Sequence, residues 1–163
     1  MKWFEEDLIK TGVQLRLLID EVLFFKKTEH FEMMIFKNPE MGRVLTLDNV
    51  IQTTERDEFF YHEMMTHVPY YAHGSVKHVC VIGGGDGGIL RELAKHNENE
   101  SITLVEISDD VITLSKEHLP SLSNGAFDDP RIEVIIQDGA QFVQQCNKKF
   151  DLMIVDSTDP IGP

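Results

Sequence analysis

With 163 residues, the chain has room for one ordinary domain, or for a small domain and part of a second, but not for two full ones. Its 15 Lys and Arg against 28 Asp and Glu give a formal charge of −13, which disfavours nucleic acid and anionic membrane surfaces as partners and suits a cationic ligand. No run approaches the ~18 apolar residues of a membrane span, and Met1-Lys2-Trp3-Phe4-Glu5-Glu6-Asp7 turns acidic where a signal peptide needs an apolar stretch, so the expected location is cytoplasmic.

From Val13 to Gln52 the pattern has period two and is rich in β-branched and aromatic residues. It predicts strands over 13–17, 22–25, 31–36, 44–47 and 50–52, with turns at Asn38-Pro39-Glu40-Met41-Gly42 and Asp48-Asn49. Residues 1–53 thus read as a small antiparallel β domain, too small to bury much alone and expected to pack on a partner subunit or on the next domain. Thr54-Glu55-Arg56-Asp57 resembles a capping box opening a helix that Pro69 ends, and residues 54–74 form the connection.

After Gly74 strands and helices alternate, which argues for βαβ units and a Rossmann-like, doubly wound parallel sheet over residues 75–163. The expected elements are a strand over 76–82, a glycine loop, a helix over 89–96, a strand over 102–107 and a helix over 110–119. A loop containing Asn124-Gly125 and Asp128-Asp129-Pro130 then leads to a strand over 132–136, a helix over 140–146 and a strand over 152–155. The strand order would be 3-2-1-4, with the fourth strand an edge that a complete fold would cover, so the domain is expected to be incomplete at its C-terminus. Cys80 falls in a strand and Cys146 near a helix end, without ligand spacing, and both are expected to be reduced and structural.

Gly83-Gly84-Gly85-Asp86-Gly87-Gly88 matches GxGxxG between a strand and a helix, and Glu106, at the end of the second strand, is placed to accept ribose hydroxyls. A nucleoside ligand is the expectation. Asp86 decides its charge: a carboxylate ~4 Å from a pyrophosphate costs about 4 kcal/mol at an effective dielectric of 20, so NAD is disfavoured and a sulfonium nucleoside is favoured. Asp138-Gly139 lies in the next loop, where the carboxylate reads an adenine amino group or caps the following helix, two compatible roles. His62 and His67 are five apart, about 140° around a helix, so His62-Glu63-Met64-Met65-Thr66-His67 lacks the HExxH spacing and no metal site is expected. Asp156 and Asp159, with Asp86, Glu106 and Asp138, place an acid at each of four neighbouring strand ends and make a cation-binding rim.

The strings LTLDNVIQTTERDEFFYHEM (45–64), CVIGGGDGGILRE (80–92), VEIS, DDPR, QDG and DSTDPIGP, in this order, resemble the spermidine synthases, the polyamine aminopropyltransferases. The resemblance implies an N-terminal β domain that supports homodimers or homotetramers. It implies a methyltransferase-like domain that takes decarboxylated S-adenosylmethionine as co-substrate, with no prosthetic group and no metal, and transfers the aminopropyl group to putrescine, giving spermidine and methylthioadenosine. It places the proton acceptor on Asp156 and the diamine site on Tyr61, His62, Asp86, Asp156, Ser157, Thr158 and Asp159. It places the nucleoside contacts on Gln52, Gly83, Gly84, Gly85, Glu106, Asp138, Gly139, Ser157 and Pro163. Two departures stand out: Phe31 occupies a position where the family carries a nucleoside-contacting Gln, and the family continues with further strands and substrate-site aromatics. Beside an aminopropyltransferase represented by its N-terminal part, the sequence admits a noncatalytic remnant or split-gene product. It also admits a small-molecule methyltransferase on the same fold, against which YHEM, GGGDGG and DSTDP count.

Overall fold

The computed structural model describes residues 1–7, 12–27 and 32–157, which form two compact units, Met1–Glu58 and Phe59–Ser157. Phe31, Thr158, Asp159 and Pro163 lie outside the described residues.

The first unit is antiparallel. Strands β1 (Lys2–Asp7) and β2 (Gln14–Ile19) pair with each other, and β3 (Glu21–Lys27), β4 (Glu32–Asn38), β5 (Gly42–Leu47) and β6 (Val50–Thr54) form a meander in that order. β1 is not apparent in the sequence because its inward face carries an acid: Phe4 and Glu6 are both buried, Phe4 against the Phe36 ring and Glu6 accepting the Ile51 N–H at 3.2 Å. Its outward face is held by Arg16, which lies over Trp3 and pairs with Glu5 at 2.9 Å. Asp48 and Asn49 both take positive φ, 50° and 62°, which is the two-residue turn whose twist matches a β-hairpin. The Asn38 side chain closes the other turn by accepting the N–H groups of Glu40 and Met41.

The predicted capping box does not open a helix. Thr54 ends β6 and donates its hydroxyl to Asp57 at 2.6 Å, while the Glu55 carboxylate turns back to accept the Arg43 N–H, so the four residues form a turn. Helix α1 (Glu58–His73) starts afterwards and runs through Pro69 instead of stopping there. A proline inside a helix forfeits one backbone bond, but the buried stripe His62, Thr66, Tyr70 continues across it, and packing carries the helix past the defect. Tyr70 stacks on His96 with centroids 3.7 Å apart, and Gly74, at φ 79°, ends the helix by returning its N–H to the Tyr70 carbonyl.

The second unit is the expected α/β sheet. β7 (His78–Gly83), β8 (Ser101–Glu106), β9 (Ile132–Ile136) and β10 (Leu152–Asp156) run parallel in the order β10-β7-β8-β9, which is 3-2-1-4 read from the other edge. Period two divides each inner strand between two faces. Val79, Val81, Ile102, Leu104 and Ile154 join Ile89, Leu90 and Leu93 of α2 (Gly88–Ala94) in one core, and Cys80 and Val105 meet Phe142 of α5 (Gly139–Gln145) on the other side. Met153 and Val155 of β10 are exposed. The segment expected to be a plain loop follows α3 (Asp109–His118) and contains α4 (Pro120–Ser123) and a 3-10 turn, Ala126–Asp128, anchored by the fully buried Leu119 and Leu122. One helical turn is too short to show a hydrophobic period. No helix of the described residues is long and apolar enough to cross a membrane.

Burial pushes the Cys80 thiol up to about 11, whereas Cys146, at the end of α5, is half-buried. Native protein treated with a thiol reagent at neutral pH is therefore expected to modify Cys146 and spare Cys80, and unfolded protein to modify both; equal native rates would contradict the packing.

Candidate active site at the sheet edge

The carboxyl ends of β7, β8 and β10 and the first turns of α1 and α2 bring Tyr61, His62, Asp86, Glu106 and Asp156 together. The glycine run is what lets them converge. A Cβ on Gly83 would overlap the Asp156 carbonyl oxygen, one on Gly84 would meet an Asp156 carboxylate oxygen at 3.1 Å, and one on Gly85 would meet Glu106 at 2.9 Å. A Cβ on Gly87 would meet Phe127 and Ser123 at 2.6 Å, and one on Gly88 would fall inside the van der Waals envelope of the His62 ring. The loop is thus a mould for acids and a histidine, which explains how a GxGxxG motif coexists with Asp86.

Asp86 and Asp156 receive consecutive side chains of α1. The Tyr61 hydroxyl donates to Asp156 Oδ1 at 2.7 Å, and His62 Nε2 lies 3.4 Å from Asp86 Oδ2, whose other oxygen accepts the Gly88 N–H at 2.9 Å. The two carboxylates are driven apart in acidity. At Asp86 the burial that would raise its pKa is outweighed by the His62 hydrogen bond and charge, the Gly88 N–H and Arg91, so it is held below the ordinary carboxylate value. At Asp156 burial wins over the Tyr61 hydrogen bond and is reinforced by the charge of Asp86, so its pKa is raised. Glu106 is likewise raised, by burial first, despite accepting the N–H groups of Ser108, Gly85 and Ile107. A neighbouring pair of carboxylates with opposed shifts suits one fixed charge and one group poised to exchange a proton.

Asp138 is the N-cap of α5, accepting the Gln141 N–H at 2.8 Å, and Gly139 follows it where a Cβ would overlap Ile82. This establishes its capping role and leaves its second carboxylate oxygen for another donor. Ser157, exposed, follows β10. Gln52 lies on β6 in the first unit, where its exposed amide donates to the Val50 carbonyl at 3.3 Å. His62 and His67 go to different partners, as 140° of separation requires, and among the described residues no group of three or more His, Cys, Asp or Glu is arranged to hold a metal ion. The sequence gives no sign of the polar cluster behind the site, in which His67 meets Glu92 and His96; only the tertiary contact of α1 with α2 reveals it.

Residues 58–163 match the Spermine/spermidine synthase domain and residues 2–55 the Spermidine synthase tetramerisation domain. Proteins named polyamine aminopropyltransferase from Yersinia pestis (strain Pestoides F) and Yersinia pseudotuberculosis serotype O:3 (strain YPIII) are each 57% identical over 145 residues, 89% of this chain and 49% of theirs. A crystal structure of spermidine synthase in complex with the transition state analogue AdoDATO superposes with a TM-score of 0.92 at 42% identity, over 98% of this chain and 54% of that one. Spermidine synthase from Thermotoga maritima gives a TM-score of 0.90 at 41% identity, over 96% and 54%. The chain spans about half the length of the relatives it matches. On residue pattern, fold and these matches together, the chain belongs to the spermine/spermidine synthase family.

Proposed function

We propose that this chain supplies the nucleoside- and amine-binding edge of an aminopropyltransferase that uses decarboxylated S-adenosylmethionine and putrescine and yields spermidine and methylthioadenosine. The observation that carries the reading is the placement of consecutive side chains of α1 on two neighbouring carboxylates, Tyr61 on Asp156 and His62 on Asp86, whose pKa values are shifted in opposite directions. Asp86, held as a carboxylate, anchors an ammonium group. Asp156 accepts the proton that the attacking amine must lose, since an amine of pKa near 10 is not a nucleophile while protonated. The amine nitrogen then forms a bond to the carbon beside the sulfonium, the carbon–sulfur bond breaks, and its electron pair neutralises the sulfur as methylthioadenosine leaves. Holding two cations in line against several acids lowers the entropic part of this barrier.

In this reading Glu106 accepts the ribose hydroxyls and the free Asp138 oxygen, with Gly139, receives the adenine amino group. Gly83, Gly84 and Gly85 let the nucleoside approach the backbone, Gln52, Ser157 and Pro163 complete its contacts, and Thr158 and Asp159 extend the amine site. The protein is proposed to act in the cytoplasm as a homodimer or homotetramer through its N-terminal β domain, the stretch that matches the tetramerisation domain. The test is to supply decarboxylated S-adenosylmethionine and putrescine to the purified protein and to follow methylthioadenosine, with calorimetry for nucleoside binding. Equimolar spermidine and methylthioadenosine are expected. Absence of both binding and product would overturn the reading, and methyl transfer from S-adenosylmethionine in its place would favour a methyltransferase.

A further inference from the structure

Tyr61 and His62 reach the two site carboxylates from the first turn of α1, so their placement depends on how that turn is held. α1 is weakened in its middle. Pro69 has no N–H to give to the carbonyl four residues back, at Met65, and its ring crowds that carbonyl, so the turn from Met65 to Pro69 cannot by itself fix the N-terminal half of the helix on the C-terminal half.

His67 lies within that turn and is bonded on both ring nitrogens. Its Nε2 is 2.9 Å from Glu92 Oε2, and its Nδ1 is 2.9 Å from His96 Nε2. Glu92 is a buried carboxylate at 0% exposure, reached also by Arg91 Nε at 2.8 Å and Lys95 Nζ at 2.5 Å. Those two cations and His67 outweigh the burial that would raise its pKa and hold it below the ordinary value. A carboxylate only accepts, so His67 carries its proton on Nε2 and, when neutral, accepts the His96 Nε2–H at Nδ1. His96 in turn is stacked on Tyr70, one turn further along α1, with Tyr71 edge-on. Glu98 and Arg131 are further charged groups near this cluster.

The two attachments of α1 to α2 sit at different heights. His62 meets α2 at Gly88 and His67 meets it at Glu92, five residues apart on one helix and four on the other, which is ~7.5 Å and ~6 Å along the axes. The buried stripe and Met65 pack α1 on the core, and the two polar contacts at separate levels add a directional restraint on the rotation of its first half that apolar packing beside the proline turn does not supply. We infer that His67, through Glu92 and His96, is a positioning residue that splints α1 across Pro69 and so holds Tyr61 on Asp156 and His62 on Asp86. Its catalytic consequence rests on the aminopropyl-transfer reading; the splint itself does not.

The test is a cycle read by 13C-carboxyl NMR, with the Asp156 signal assigned by its absence in Asp156→Asn. In otherwise unaltered protein, Tyr61→Phe removes a hydrogen bond from Asp156 and shifts its titration. In a His67→Phe background, with Tyr61 no longer held, Tyr61→Phe is expected to shift it by much less or not at all. In a His67→Gln background the shift is expected to return, because Gln can donate to Glu92 and accept from His96. Turnover should follow, kcat falling about 10- to 100-fold in His67→Phe, as for a small misplacement of reacting groups, and recovering in His67→Gln. An equal Tyr61→Phe shift in the His67→Phe and unaltered backgrounds would overturn the splint. If His67→Phe does not melt cooperatively, Glu92→Met, which removes the acceptor of the His67 Nε2–H, replaces it, with a reduced Tyr61→Phe shift expected and an undiminished one again overturning the inference. Coupled titrations in a protein that forms no methylthioadenosine would support the splint and reject the aminopropyl-transfer reading.

Discussion

Asp156→Asn is expected to lower methylthioadenosine formation by about 10²- to 10⁴-fold, the contribution of a positioned general base, while leaving nucleoside binding within a few-fold of its starting value. Asn keeps the shape of the group and still accepts from Tyr61, but it has no basic oxygen for the amine proton. The same change should raise the melting temperature at neutral pH. The folded-state pKa of Asp156 is raised, by burial first and then by Asp86, so its ionised form is less favourable folded than unfolded. The stability linked to its protonated form is fully present below the unfolded pKa and is lost as pH rises through the folded one. Asn removes that loss, so the gain in melting temperature should appear above the folded pKa and fade in acid. Unchanged turnover would remove the assigned role, and a gain that grew in acid would contradict the electrostatics.

Gly83→Ala is expected to be the most damaging single change to the second unit that leaves every charge in place. Two separate costs meet there. Gly83 has φ 77°, which an L-residue adopts only with strain, and its new methyl would overlap the backbone carbonyl of Asp156, which cannot swing aside as a side chain could. Backbone strain and overpacking together amount to on the order of 3 kcal/mol or more, or roughly 6–12 °C in melting temperature for a chain of this size. Gly125→Ala is the control. It has the same sign of φ, 82°, but nothing within 4 Å of the new methyl, so it should show only the strain, about 1–2 kcal/mol. Equal losses at the two positions would show that the contact with Asp156 carries no cost.

Much of the second unit is legible in the sequence because its parallel strands, the inner two buried on both faces, are written as apolar runs between turn signals. The 132–136 strand coincides with β9, and the others differ at their ends by one or two residues. The acids at strand ends are legible for the same reason: a run such as Leu152–Val155 that stops at Asp156 marks where the sheet meets solvent. What is hidden depends on partners far away in the chain. Glu6 looks like a surface residue until the Ile51 N–H is brought to it, so β1 does not read as a strand. Pro69 looks like a terminus until Tyr70 is stacked on His96. Thr54-Glu55-Arg56-Asp57 has the letters of a helix cap, but Glu55 is claimed by the Arg43 N–H across the sheet. Tyr61 and His62 carry no chemistry recognisable from spacing; only the family resemblance singles them out, and α1 places each over a carboxylate.

In the proposed reading, the glycine run limits how selectivity for the amine could change. Because Gly83, Gly84, Gly85 and Gly88 each have a site residue within 3.1 Å of where a side chain would begin, or closer, none can be enlarged to raise the floor beneath a substrate without unseating Asp156, Glu106 or His62. The floor therefore behaves as a fixed datum. A shorter or longer amine must be accommodated by walls built from other segments, and variants selected for a different chain length should accumulate their substitutions there while the loop stays as it is.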